Sequence, residues 1–179
     1  MTYAVGLYFD SASEETLSRF TRQIAQSGAN TYMLDQKIPP HITLACVCAE
    51  QPAPLIELLD ENIARFNQGD IFWASLGIFM PAVLFAAPVM NGYLLDFNAR
   101  VNQLLEPLGS AGENGYYLPN QWVPHTALAA RMNRDELKLA LNAITDDFAA
   151  FGGKAERLFL AQCDPYVERK TWDLSKKLL

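Results

Sequence analysis

The sequence predicts an α+β fold in which antiparallel sheets meet around a central cleft and helices cover the outer faces. Two observations carry this. The first is a duplicated pattern: Ile38-Pro39-Pro40-His41-Ile42-Thr43-Leu44-Ala45 and Trp122-Val123-Pro124-His125-Thr126-Ala127-Leu128-Ala129 both read Pro-His-x-x-Leu-Ala. The second is a repeated order of elements, each half reading strand, helix, short strand, histidine strand, helix, long strand, strand. Neither half covers both faces of its own sheet. A single domain over 1–179 is therefore expected, built from pseudo-repeats at about 1–87 and 88–179.

In the first half, Tyr3–Phe9 is rich in aromatic and branched residues and predicts a strand. Asp10-Ser11-Ala12-Ser13 supplies turn and cap residues, and Leu17, Phe20, Ile24 and Ala25 follow at helical spacing before Gly28. Thr31–Leu34 predicts a short strand. His41–Cys48 begins just after a proline, where the missing N–H does least harm to a sheet. Alternation puts His41 and Thr43 on one face and Ile42, Leu44 and Cys46 on the other. Pro52 and Pro54 open a helix carrying Leu55, Leu58, Leu59, Ile63 and Phe66. Asp70–Phe79 is a long strand with Gly77 as its bulge position, partnered by Val83–Ala86.

The second half starts with a helix from Asn91 to Glu106, whose stripe is Leu94, Leu95, Phe97, Val101, Leu104 and Leu105. A loop over Gly112–Gly115 leads to Tyr116-Tyr117-Leu118 and the strand Val123–Arg131. Asn133 caps a helix with Leu137, Leu139, Ala140, Leu141 and Ile144. Gly152-Gly153 separates it from the strand Ala155–Cys163. Asp164-Pro165 turns into a last strand, Tyr166–Leu174.

Composition narrows the function. Half of the 179 residues are hydrophobic and 19% are charged, as in a globular enzyme or binding domain. No apolar run approaches the roughly 20 residues that cross a bilayer. Met1-Thr2-Tyr3-Ala4-Val5 lacks a signal-peptide pattern, so a cytoplasmic protein with no membrane partner is expected. With net charge −6, pI 4.9 and no Lys/Arg run, the chain is a poor candidate for holding a long duplex by counterion release, and none is expected as a partner. A small phosphorylated ligand or an RNA end, bound by a monomer, fits. Cys46, Cys48 and Cys163 give no disulfide framework, and the first two read as small apolar residues of a buried layer. With no second cysteine pair and no His-Glu-x-x-His pattern, neither a metal site nor a cofactor is expected.

His41 and His125 are the two histidines of the chain. With ordinary pKa values near 6.5, one is expected neutral and the other protonated at neutral pH. One then takes a proton from water while the other donates to a leaving oxygen. Hydrolysis of a strained cyclic phosphodiester needs these two transfers and a donor for the anionic oxygens. Thr43, on the His41 face, presents such a hydroxyl. Tyr32, Trp122 and Tyr166 are candidate substrate contacts, and Tyr116 is a candidate for base stacking. Arg131 lies roughly 20 Å along the strand from His125. It is expected to be a solvated strand end, and Lys37, Arg169 and Lys170 are expected on the surface.

His41-Ile42-Thr43-Leu44 resembles the His-x-Thr-Leu signature of the 2H phosphoesterase superfamily. That superfamily includes 2′-5′ RNA ligase-like proteins and cyclic nucleotide phosphodiesterases. His125-Thr126-Ala127-Leu128 keeps the histidine and the leucine, and the resemblance spans essentially the whole chain. It implies a two-lobed, pseudo-symmetric LigT-like fold with both motifs in the cleft. The implied substrate is a 2′,3′-cyclic phosphate or 2′-linked phosphodiester of a nucleotide or RNA end, with His41 and His125 as acid and base. One position departs: the second signature has Thr or Ser where this chain has Ala127. Thr126 points to the other face, and the analogous loss of an oxyanion donor costs around 2.7–4 kcal/mol. Tyr32, Trp122, Tyr166 or a water are candidates to replace it. Two alternatives follow: a weakened module that binds nucleotides or RNA ends, and a 2′-5′ RNA ligase.

Overall fold

Polar side chains set the helix starts of the computed structural model, which describes residues 1–174. Asp10 accepts from the Ser13 N–H to open α1 (Ser11–Gln26), and Asn91 accepts from the Leu94 N–H to open α4 (Gly92–Leu105). Asn133 and Glu136 form a reciprocal capping box on α5 (Arg134–Ile144). Each cap is worth about 1 kcal/mol. The remaining helices are α2 (Tyr32–Asp35) and α3 (Ala53–Asn62). Among the described residues no helix is long and apolar enough to cross a membrane.

Among the described residues eight strands form one antiparallel sheet: β1 (Thr2–Phe9), β2 (Ile42–Cys48), β3 (Gly69–Phe79), β4 (Val83–Pro88), β5 (Ser110–Ala111), β6 (Thr126–Ala129), β7 (Phe151–Gln162) and β8 (Val167–Asp173). Their order is β5-β2-β1-β7-β3-β4-β6, with β8 also on β7. The expected sheets are thus continuous through β7. Its first residues, Phe151–Ala155, pair with β3, and residues from Ala155 onward pair with β1. The sheet curls until β6, at its far end, comes beside β2. The Trp122 indole N–H closes the seam by donating to the Thr43 carbonyl at 3.0 Å.

One face of the sheet buries the main core against the helices, with Leu7, Phe9, Leu17, Phe20, Leu158 and Leu160 among its members. The part of the sheet made by β2, β1, β8 and the later residues of β7 is the first lobe, and β3, β4 and β6 make the second. The opposite face of the first lobe carries a smaller cluster, Ala4, Tyr8, Cys46, Phe159 and Ala161, which floors the cleft. Both histidine strands break their alternation at the same point. Gly6 and Val5 pair with Thr43 and Ala45, leaving Leu44 over. Phe85 and Leu84 pair with Ala127 and Ala129, leaving Leu128 over. Each is a β-bulge, and it turns consecutive Leu and Ala side chains into the core.

Several expectations change. The first bulge moves Cys46 onto the Thr43 face, where it pairs with Ala4, so it is not opposite the histidine. Thr31–Leu34 does not extend. Leu34 and Asp35 N–H groups bond to the Thr31 carbonyl and the Thr31 hydroxyl to the Asp35 carboxylate, closing one helical turn. Local hydrogen bonds outweigh the strand propensity there. Gly152 and Gly153 lie inside β7, because a side chain at Gly153 would strike Ser13 and Asp10. Gly77 is not a bulge; that irregularity falls between Trp73 and Ser75. Residues 116–118 form a turn, and β6 is shorter than Val123–Arg131.

Candidate active site

His41 and His125 each stand one residue before their strands, and each is held in the same way. The His41 Nδ1–H donates to the Pro39 carbonyl at 2.8 Å and the His125 Nδ1–H to the Val123 carbonyl at 2.8 Å. A carbonyl only accepts, so the proton of each neutral ring sits on Nδ1 and Nε2 keeps its lone pair. The bond spans two residues, and Pro40 or Pro124 between the partners restricts the backbone that makes it.

Phenylalanine rings back both imidazoles. His41 meets Phe159 edge-on, centroids 5.3 Å apart, and Phe159 stacks on Tyr8 at 4.3 Å. His125 meets Phe79 at 4.9 Å and Phe85 at 5.4 Å. Phe159 lies over Gly6 and Phe85 over Gly77, in the space a Cβ would take.

Burial, opposed by the Pro39 carbonyl and aided by a charge on nearby His125, lowers the His41 pKa to about 4. Burial lowers His125 as well, again opposed by its carbonyl partner. The even split of charge expected from ordinary values therefore gives way to two neutral imidazoles in the open cleft at pH 7. An arriving anion favours their charged forms.

Thr43 is buried, with its side chain against the Tyr117 hydroxyl. Thr126 turns into the core, where its hydroxyl accepts from the Trp73 indole N–H at 3.0 Å. Ala127 pairs with Phe85 and brings no hydroxyl to the cleft face. Tyr117 lines the cavity beside His125, and the sequence pattern does not single it out. Its carbonyl accepts from the Asn98 and Asn102 side-chain amides at 2.9 and 3.1 Å, and both amides also reach the carbonyl of bulged Leu44. Its ring lies 6.2 Å from His125. The available signal was Asn98, a buried amide inside the apolar stripe of α4.

The remaining candidates separate. Trp122 lines a cavity of about 480 Å³ with His125, Phe79, Met80, Tyr116 and Tyr117, but its N–H is committed to Thr43. Tyr166 is on the first lobe. Its hydroxyl lies 2.6 Å from that of Tyr8, which donates to Glu168 at 2.8 Å. Tyr32 lies on α2 with the Arg131 guanidinium 4.6 Å from its ring centre, and Arg131 also pairs with Asp164. Among the described residues, no group of three or more His, Cys, Asp or Glu side chains converges.

No family model matches the chain, and no curated protein matches it. Solved structures do. TT0787 of Thermus thermophilus matches with TM-score 0.65 and 15% identity, over 99% of this chain and all of its own. Escherichia coli LigT complexed with 3′-AMP matches with TM-score 0.56 and 9% identity, over 97% and 98%. Kluyveromyces marxianus Usb1 matches with TM-score 0.52 and 11% identity, over 97% of both. Bulged histidine strands closing a curled antiparallel sheet are thus this chain's version of the fold it shares with LigT.

Proposed function

We propose that the protein is a metal-independent phosphodiesterase that opens a 2′,3′-cyclic phosphate, or a related 2′-linked phosphodiester, of a nucleotide or RNA end. The observation that carries this is the matched pair of imidazoles, each with Nδ1 committed to a carbonyl and Nε2 left for chemistry. LigT, of the same fold, is described with 3′-AMP, which supports a small nucleotide as the ligand. The acidic chain supports it too, since one phosphate needs only local donors.

Burial and the His125 charge both oppose a proton on His41, so His125 takes the first proton and acts as general acid. Neutral His41 is the base. Its Nε2 takes a proton from the water that attacks phosphorus. The P–O bond to the departing ribose oxygen breaks, and that oxygen receives the His125 Nε2 proton. Thr43 donates to a non-bridging oxygen. A phosphomonoester and a hydroxyl result, and each proton lost from one histidine is matched by one gained on the other.

The test is turnover of 2′,3′-cyclic nucleotides in excess chelator. Activity that survives chelation and falls about 10²–10⁴-fold in either His41→Ala or His125→Ala supports the reading. Activity lost to EDTA and restored by a divalent cation overturns it. Ala127 favours a second reading, a module that binds without turnover. Nucleotide binding with no hydrolysis by the wild type would establish it, and joining of short RNA halves would establish a ligase instead.

A further inference from the structure

We propose that the Tyr117 hydroxyl is the second phosphate-oxygen donor of this site, filling the role that β6 leaves open at Ala127. The proposal rests on the phosphodiesterase reading and names the residue that reading lacks. A phosphoryl group between the two histidines needs donors from both lobes if its non-bridging oxygens are to be held symmetrically. The first lobe supplies Thr43. In the second, Thr126 has spent its hydroxyl on Trp73 and Ala127 has none.

Tyr117 stands where the two motifs meet. Its hydroxyl faces the Thr43 side chain, and its ring faces His125 at 6.2 Å with the planes 31° apart. It shares the cavity wall with His125 and also packs on the cleft floor of Ala4, Tyr8, Cys46 and Phe159. Two adjacent hydroxyls, each with a rotatable proton, can turn toward one oxygen group placed over them.

The segment is also held rigidly. Asn98 and Asn102, one turn apart on α4, clamp the Tyr117 carbonyl to the Leu44 carbonyl of the first histidine strand. Tyr117 therefore keeps its register with Thr43 although it lies in a turn. Burial and the nearby Cys46 and Glu113 raise the phenol above its ordinary pKa, so it remains a donor throughout the working pH range. Tyr93, on α4 and outside this cavity, donates its hydroxyl to the Asn67 carbonyl at 3.1 Å, which makes it the matched control.

The experiment compares wild type, Tyr117→Phe, Tyr93→Phe and His41→Ala. It reads kcat and KM on a 2′,3′-cyclic nucleotide and the affinity for 3′-AMP by calorimetry. Tyr117→Phe keeps the ring and removes only the hydroxyl. The expected result is a kcat loss of about 10²-fold, 3′-AMP affinity reduced at least about tenfold, and Tyr93→Phe unchanged. Wild-type kcat and affinity in Tyr117→Phe overturn the proposal. If His41→Ala is dead in that same experiment, the phosphodiesterase reading stands without it. A wild type that binds 3′-AMP without turnover leaves affinity as the readout, and an unchanged affinity in Tyr117→Phe again overturns the proposal. A wild type that neither binds nor turns over removes the phosphodiesterase reading, and this proposal with it.

Discussion

Leu44 and Leu128 hold the same place in two separate strands, each the extra residue of a bulge three positions beyond its histidine. Both side chains are buried in the main core, as are Ala45 and Ala129 beside them. The bulge lets the strand bury two neighbours in succession while the histidine side stays on the cleft. Leu44→Ala and Leu128→Ala should each cost about 2–5 kcal/mol, measured by urea unfolding. Losses below about 1 kcal/mol would mean that neither leucine anchors its bulge.

Gly6 is fixed by what lies above it. A Cβ there would stand 2.5 Å from the Ile42 carbonyl and 2.6 Å from the Phe159 ring. Phe159 is the ring that backs His41, so a displaced ring moves the imidazole. Gly6→Ala should destabilise by about 1–3 kcal/mol through overpacking and lower kcat in the fraction that remains folded. Unchanged turnover in a destabilised variant would show that Phe159 does not position His41.

The duplicated Pro-His-x-x-Leu-Ala pattern made the two histidine strands legible. Apolar residues at helical spacing, with Asn133 as a cap, made the long helices legible as well. What stayed hidden depended on tertiary contacts. Cys46 reads as opposite the histidine under strict alternation, and only the pairing of Gly6 with Thr43 exposes the bulge that reverses it. Tyr117 lies in a turn without periodicity, and its place is set by Asn98 and Asn102 from another element. Thr31–Leu34 has strand-forming residues, but local side-chain bonds settle a four-residue stretch more strongly than propensity does.

Between neutral pH and the activity peak, activity and stability should move in opposite directions with pH. Both histidines have folded pKa values below the unfolded value of about 6.5. Their contribution to stability is therefore present above about pH 6.5 and is lost as pH falls toward 4, because the unfolded chain binds protons more readily. The acid–base pair needs His125 protonated and His41 neutral, so kcat/KM should peak below pH 6.5 and decline toward neutral pH. It should fall again as His41 protonates near pH 4. A profile of kcat/KM that is flat from pH 6 to 8 would contradict the assignment.

Ala127 is where this chain and the signature it resembles part company, and the structure changes what a restored hydroxyl should do. Threonine at this position would share the cleft face with Phe85, its paired neighbour, whose ring already fills the space over Gly77. Threonine is β-branched and has few χ1 positions with which to avoid that ring. Overpacking of this kind costs about 1–3 kcal/mol. With Tyr117 already supplying a donor, Ala127→Thr should change kcat by less than about threefold while lowering the unfolding midpoint. In a Tyr117→Phe background the same change should recover part of the lost turnover, since the new hydroxyl then has no competitor. A large gain in the wild-type background would mean instead that the cleft lacks its second donor and that Phe85 yields to the added side chain.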